Sequence, residues 1–192
     1  FVNKSLVIRG GYQTTDWSAD PPNHLSHTTW LDAQGQGRAV LAAPGITLAL
    51  ERMALVGGQA AGLGGGPTDQ DAGGGLYNAG AELTLNATRI ASSSAAMGGG
   101  LYQADGNLWL LNSLLHTNQA ISGAGLAVAG GTATLLNNTF YANTVSLPTQ
   151  GGGGVLVQAG SLAVTNTIFA THTGYALYRV GGTTALAYNL YQ

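Results

Sequence analysis

The sequence predicts an all-β fold, a right-handed parallel β-helix (a β-solenoid) with a repeat of about 25 residues per coil, within the range of solenoid repeats. Three observations support this prediction. Glycine-rich tetrapeptides recur at a nearly fixed spacing, apolar residues alternate within each repeat, and no segment combines helix caps with a sustained helical period. Because each coil of a solenoid contacts only its neighbours, like residues of successive repeats should stack in columns.

The recurring tetrapeptide is GGGL or a variant of it. Its copies, the last of them the degenerate YALY, occupy 73–76, 98–101, 123–126, 152–155 and 175–178. The first three copies follow one another at an even interval, and the fourth comes later by a surplus that matches the loop at 147–150. The columns of the fifth copy follow at a slightly shorter offset. This regularity predicts one coil per repeat.

The same offsets align apolar positions throughout the chain. Three columns hold Leu85, Leu110, Leu135, Val164 and Leu186; Leu83, Leu108, Ala133, Leu162 and Thr184; and Ile90, Leu115, Phe140, Phe169 and Tyr191. The preceding repeat is longer because it includes the insertion at 62–71. When the offset allows for this insertion, the same columns continue to Leu41, Leu48, Leu50 and Leu55. Alternation as in Leu83 and Leu85 is that of a strand, so the columns should form a buried core. We expect full burial of Leu110, Leu115, Leu135, Phe140, Val164 and Phe169.

Composition indicates one continuous domain. Residues 1–72 should form irregular N-terminal coils with loop insertions at 13–29 and 62–72, and residues 73–192 should form regular coils. Charged residues are only 7% of the chain, which excludes a disordered polar segment. The net charge of −2 argues against a nucleic-acid partner. No apolar run reaches the roughly 18 residues of a membrane span.

Asparagines form a polar column at Asn112, Asn137 and Asn166. An asparagine in a turn inside a coil leaves amide groups that need partners, and stacked asparagines can donate to and accept from one another. We therefore predict a structural asparagine ladder. Asn118 and Asn143 form a second, shorter column.

Tyrosines suggest one surface strip. Tyr77 and Tyr102 follow the inward Leu76 and Leu101, so alternation turns them outward, and Tyr178 continues their column. The strip is a candidate for carbohydrate stacking or for a protein partner. The alternative is ordinary cross-strand packing on an exposed β face.

Acidic residues are too sparse to suggest catalysis. Polysaccharide hydrolysis needs two facing carboxylates, and the regular coils contain only Glu82 and Asp105, in neighbouring turns at different columns. We expect no catalytic residues. The densest polar-aromatic group is N-terminal, and its two interpretations are a sugar site or turn caps with ion pairs; it comprises Arg9, Asp16, Trp17, Asp20, Trp30, Asp32 and Arg38.

Metal and cofactor motifs are weak. His24 and His27 have no clear third ligand nearby. The glycine–aspartate run at 62–71 is similar to calcium-binding repeats, but it occurs once, whereas those repeats share ions between adjacent turns. We expect no cofactor and no metal site, and we interpret the run as a flexible insertion.

The repeat resembles that of chlamydial polymorphic outer membrane proteins and of bacterial β-helices in the pectin-lyase-like superfamily. The resemblance lies in GG[GA][LI] followed by F-x-x-N, matched by Gly74-Gly75-Leu76, Gly99-Gly100-Leu101 and Phe140-Tyr141-Ala142-Asn143. It implies a β-helix from a secreted or cell-surface protein. Because that superfamily includes lyases, hydrolases, adhesins and proteins without known activity, it does not imply one function.

We expect a non-catalytic structural or adhesive protein, extracellular or at the bacterial cell surface. Both 1–8 and 186–192 have the pattern of strands, without polar caps. Uncapped ends predict either further coils of the same chain or end-to-end association into fibres. The alternative is a carbohydrate-binding or polysaccharide-degrading β-helix of the lyase or hydrolase type.

Overall fold

The structure, a computed structural model, describes residues 1–13, 15, 18, 23, 25–149 and 151–192. It is a parallel β-solenoid of about six turns, with a spacing of about 25 residues between stacked coils. In the described residues, the one helical element is a short 3-10 turn at Pro67–Asp69. The predicted all-β solenoid is confirmed.

Within the described residues, twenty strands form the coils. They are β1 (Leu6–Arg9), β2 (Thr29–Asp32), β3 (Val40–Ala42), β4 (Thr47–Glu51), β5 (Met53–Val56), β6 (Leu76–Asn86), β7 (Arg89–Ala91), β8 (Leu101–Leu111), β9 (Leu114–His116), β10 (Gln119–Ala120), β11 (Leu126–Val128), β12 (Thr132–Leu136), β13 (Thr139–Tyr141), β14 (Thr144–Val145), β15 (Gly152–Val157), β16 (Ser161–Thr165), β17 (Ile168–Ala170), β18 (Tyr175–Arg179), β19 (Thr183–Ala187) and β20 (Leu190–Tyr191).

These twenty described strands pair in parallel into three sheets. The seven-stranded sheet has the order β2-β5-β7-β9-β13-β17-β20. An eleven-stranded sheet combines two runs, because the long strands β6 and β8 pair along both halves. A two-stranded sheet, β10 with β14, completes the coil. Each strand therefore stacks on the equivalent strand of the neighbouring coil.

The observed register follows the predicted offsets. Leu76 pairs with Leu101 and Leu101 with Leu126, in equal steps along the chain. Leu126 pairs with Val155 after a longer step, and Val155 pairs with Leu177 after a shorter one. The extra residues before β15 are thus absorbed outside the paired strands, whereas the pairing of β15 with β18 shifts register between Gly152 and Val155.

One N-terminal strand departs from the predicted frame. Val40, and not Leu41, pairs with Leu76, whereas Leu48 pairs with Leu83 as expected. The path from Val40 to Leu48 is one position longer than the path from Leu76 to Leu83, so the corner before β4 holds an insertion. A shift of one residue exchanges the two faces of a strand. Val40 is therefore buried and Leu41 is only partly buried, so the prediction for Leu41 is wrong.

The columns form a single apolar core along the axis of the solenoid. All six residues predicted to be fully buried have no exposed surface; they are Leu110, Leu115, Leu135, Phe140, Val164 and Phe169. Phe140 stacks on Phe169 at 5.0 Å between ring centroids, and Phe169 stacks on Tyr191 at 5.4 Å. This aromatic column joins the last three coils.

The glycine repeat has a steric cause. A Cβ atom added to Gly75 would lie 2.5 Å from the carbonyl oxygen of Gly100, and one added to Gly100 would lie 2.6 Å from that of Gly125. Backbone of the next coil therefore occupies the space that a side chain needs. Glycine permits this close approach, which explains its recurrence at this position from Gly75 to Gly154, whereas Ala39 and Ala176 occupy the position in the flanking coils.

Candidate functional site

The tyrosine strip lies on the outside of the coil but is largely covered. We call it the aromatic face; its residues, in register across five coils, are Tyr77, Tyr102, Ala127, Leu156 and Tyr178. Tyr77 stacks on Tyr102 at 5.5 Å between centroids. Ala72 and Met97 pack against the face, and Tyr102 is only 2% exposed. The expectation that Tyr102 is exposed is therefore wrong, and Tyr77 and Tyr178 are only partly exposed.

Residues 62–72, here called the covering loop, contact the aromatic face through Ala72 and through the Tyr77 hydroxyl. Arg38 ties the loop down by donating from Nε to the Ala72 carbonyl at 2.9 Å and from Nη2 to the Gly64 carbonyl at 2.5 Å. Its guanidinium also lies 4.8 Å from the Tyr77 ring centroid. The Tyr77 hydroxyl donates to the Gly65 carbonyl at 2.9 Å. The loop inserted into the repeat is thus bonded to the face below it.

The carboxylate of Asp71 closes the covering loop on itself. Oδ1 accepts the backbone N–H of Gly64 at 2.8 Å, and Oδ2 accepts that of Gly62 at 3.0 Å. These backbone hydrogen bonds lower the pKa of Asp71 below its usual value. Within the described residues, no three His, Cys, Asp or Glu side chains form a group that could hold a metal ion. His24, one of the two histidines weighed above, lies outside the described residues.

Burial also changes the chemistry of the aromatic face. Loss of water around Tyr102 raises the pKa of its phenol to about 12. This hydroxyl is therefore harder to ionise than that of an ordinary tyrosine.

The asparagine ladder runs along an exposed turn. Asn166 Nδ2 donates to Asn137 Oδ1 at 2.7 Å, and Asn137 Nδ2 donates to Asn112 Oδ1 at 3.2 Å. Asn112 in turn donates to Asn86 at 3.0 Å. All three ladder residues have a left-handed backbone, with φ between 51° and 58°, which asparagine tolerates well. We expected these amide groups to be buried, but the ladder lies on the surface.

A second ladder, of Asn118 and Asn143, is fully buried. Asn143 Oδ1 accepts both the backbone N–H and the side-chain Nδ2 of Asn118, each at 3.0 Å. Asn143 Nδ2 donates to the Leu115 carbonyl at 2.9 Å. At the next coil the Asn143 backbone N–H donates to Nδ1 of His172 at 3.2 Å. This ladder satisfies corner backbone groups inside the coil.

A third ladder, buried except for the partly buried Asn189, cannot be recognised from one repeated residue type because its residue types vary. Backbone N–H groups donate to the side-chain oxygen of the next coil in a series formed by Thr88, Ser113, Asn138, Thr167 and Asn189. The shared property is a short side chain with an acceptor oxygen, which a search for one residue type does not detect.

Among the described members of the N-terminal polar-aromatic group, Trp30, Asp32 and Arg38 line one pocket, and Arg9 is not among its lining residues. Arg9 pairs with Glu51 at 2.7 Å, Arg38 bonds the covering loop, and Asp32 Oδ1 accepts the backbone N–H of Gln34 at 2.9 Å. Trp30 lies against Arg89. Asp16, Trp17 and Asp20 lie outside the described residues.

The two carboxylates of the regular coils are apart and separately bonded. Glu82 Oε1 accepts from Asn107 Nδ2 at 2.7 Å, and Asp105 Oδ1 accepts the backbone N–H of Gly106 at 2.8 Å. The two residues do not pair in register, since Asp105 is opposite Ala79. The geometry does not bring them together as an acid–base pair.

The last coil presents core residues to solvent, a surface we call the end face. Leu186 is 49% exposed and Tyr191 is 47% exposed, although each continues a core column. Val164 and Phe169, their partners in the coil before, have no exposed surface. In the described part of the chain, β18, β19 and β20 each pair with a strand on one side only. The end face therefore combines apolar side chains with free strand edges.

Comparison of the chain with protein-family models, curated proteins and solved structures finds no match. The fold and its surfaces are thus the basis for a functional proposal. Among the residues that the structure describes, there is no helix with the length and apolar character needed to cross a membrane.

Proposed function

We propose that this chain is a non-catalytic structural or adhesive segment of an extracellular or cell-surface protein, with the end face covered by a further solenoid coil. That coil comes from the same chain or from a second copy. The observation that supports the proposal is the half-exposed state of Leu186 and Tyr191, at positions that are fully buried one coil earlier. Apolar surface of this kind is stabilised by stacking.

The free edges favour a strand as the covering element. Each carries backbone N–H and C=O groups that a parallel strand can pair with, which a loop or small ligand would satisfy less completely. The flat Tyr191 ring, stacked on Phe169 with an interplanar angle of 4°, presents its other face to the next coil. When two unlike ends meet, the contact does not close, and repeated contacts build a filament.

Membership of the pectin-lyase-like superfamily, with polymorphic-outer-membrane-protein-type repeats, is part of this proposal. Its support is the spacing of the GG[GA][LI] tetrapeptides and the F-x-x-N match at Phe140–Asn143. The extracellular or cell-surface location is proposed on the same resemblance.

A carbohydrate-binding or polysaccharide-degrading role is the alternative. The burial of Tyr102 and the separate bonding of Glu82 and Asp105 weigh against it. Incubation with a panel of polysaccharides tests it directly. Cleavage that is lost in Glu82→Gln or Asp105→Asn would replace the structural proposal.

We expect Tyr191→Glu to weaken self-association of the chain, because a carboxylate on the end face must lose its water when another coil stacks there. The matched control is Tyr188→Glu, since Tyr188 is 88% exposed on the outer turn and lies outside the core columns. Sedimentation velocity over a range of concentrations measures the association. The wild type and Tyr188→Glu should form larger species with rising concentration, and Tyr191→Glu should remain monomeric.

Two results would count against stacking between copies. One is a wild-type chain that stays monomeric at every concentration. The other is equal association of all three proteins, which would show that a different surface makes the contact.

A further inference from the structure

Two arginines line one groove on the side of the solenoid. The groove has a volume of about 330 Å³, and its walls include Arg52, Ala87, Arg89, Asn112 and Leu114. Arg52 precedes β5 and Arg89 begins β7, so the two cations come from neighbouring coils. Their shared groove lies apart from both the aromatic face and the end face.

Neither arginine has a carboxylate partner in the described part of the chain, where the ion pair found is Arg9–Glu51. Among the described residues, no acidic side chain lines the groove. Only six of the 192 residues are Lys or Arg, and Arg38 and Arg179 bond backbone carbonyls. Two arginines without a carboxylate partner among the described residues therefore share one groove, in a chain that is poor in charge.

Trp30 holds one of these arginines in place. The Arg89 guanidinium lies 4.3 Å from the centroid of the Trp30 ring, and the fully buried Ala54 lies between them in register. Stacking uses the face of a guanidinium and leaves its in-plane N–H groups free to donate. Trp30 is half exposed, so it also offers apolar ring surface beside the cation.

The small side chain of Ala87 leaves room for the groove. Arg52, Ala87 and Asn112 share the left-handed turn position in successive coils, with φ of 54°, 51° and 51°. Asparagine would continue the exposed ladder at residue 87, but alanine interrupts it, and Asn112 bonds the Asn86 side chain instead. The missing side chain leaves a gap between the Arg52 and Asn112 positions.

We propose that this groove binds a tetrahedral oxyanion, a phosphate or sulfate ester carried on a ring. Two guanidinium groups match the charge and the fork geometry of such a group. Trp30 is not a wall of the groove, but it stacks on Arg89 and is half exposed, so a ring attached to the bound group can lie over it. This binding activity goes beyond the structural role proposed above and does not depend on it.

Isothermal titration with phenyl phosphate, phenyl sulfate, benzoate and phenol tests the proposal. Phenyl phosphate and phenyl sulfate should bind, and phenol, which has the ring but no anionic group, should not. Arg52→Gln and Arg89→Gln should each lower the affinity at least about tenfold, since hydrogen bonds to charged groups are the strong ones. Arg179→Gln, which removes an exposed cation of the last coil, is the matched control and should leave the affinity unchanged.

Arg89→Gln removes the contact with the Trp30 ring as well as the cation. Arg52→Gln is therefore the second variant, because it removes a groove cation without removing that contact. Thermal unfolding of each variant shows whether it is folded. The proposal is overturned if the wild type binds no anionic probe, if benzoate binds more tightly than both esters, or if Arg179→Gln weakens binding as much as the groove variants do.

Discussion

Phe140→Ala should lower the free energy of unfolding by about 3–5 kcal/mol, the range seen when a buried aromatic side chain is truncated to alanine. The Phe140 ring has no exposed surface and stacks on Phe169, so its removal leaves a cavity between two coils. Urea unfolding followed by circular dichroism measures the change. Backbone pairing above and below limits how far the coils can collapse into the cavity.

Tyr141→Ala is the matched control, because Tyr141 follows in the same strand but points outward and is 48% exposed. This substitution should lower the free energy of unfolding by less than about 1 kcal/mol, as surface substitutions usually do. Equal effects of the two substitutions would mean that the phenylalanine column does not form the core.

Asn143→Ala should be destabilising on a similar scale, about 3–5 kcal/mol, because it leaves several buried polar groups without partners, each at a cost of about 1–3 kcal/mol. The side chain accepts two hydrogen bonds from Asn118 and donates one to the Leu115 carbonyl, all in a buried corner. The same unfolding experiment measures the loss.

Asn137→Ala provides the comparison, since it removes a ladder asparagine of the exposed turn. Water can replace its side-chain partners, so we expect a loss of about 1 kcal/mol, mainly because alanine is less stable in a left-handed turn. A larger loss at Asn137 than at Asn143 would reverse the assignment of the surface and buried ladders.

The fold was largely predictable because each coil of a solenoid repeats the same strand alternation and the same contacts with its neighbours. The columns of Leu85 and Ile90 follow from alternation and spacing alone. Sequence spacing could not locate the one-residue insertion before β4, because Val40 and Leu41 are both apolar and either suits a core position.

The surfaces were less predictable, because they depend on contacts between residues far apart in the chain. Alternation placed Tyr102 outside correctly, but its burial comes from packing with Ala72 and Met97, which alternation does not reveal. The groove at Arg52 and Arg89 likewise depends on which turns become neighbours. The third ladder was missed because its acceptors, such as Ser113 and Asn138, share chemistry and not identity.

Distances between spin labels along one outward column test the stacked register most directly. Ala49, Trp109, Ala163 and Ala185 belong to one such column, which also includes Thr84 and Thr134. The chain contains no cysteine, so labels can be attached to single introduced pairs. From a label at 49, parallel coils predict separations of about 10 Å to residue 109, about 19 Å to residue 163 and about 24 Å to residue 185, at about 4.8 Å per coil. Separations that do not rise in proportion to the number of intervening coils would contradict the solenoid on which the proposed stacking role depends.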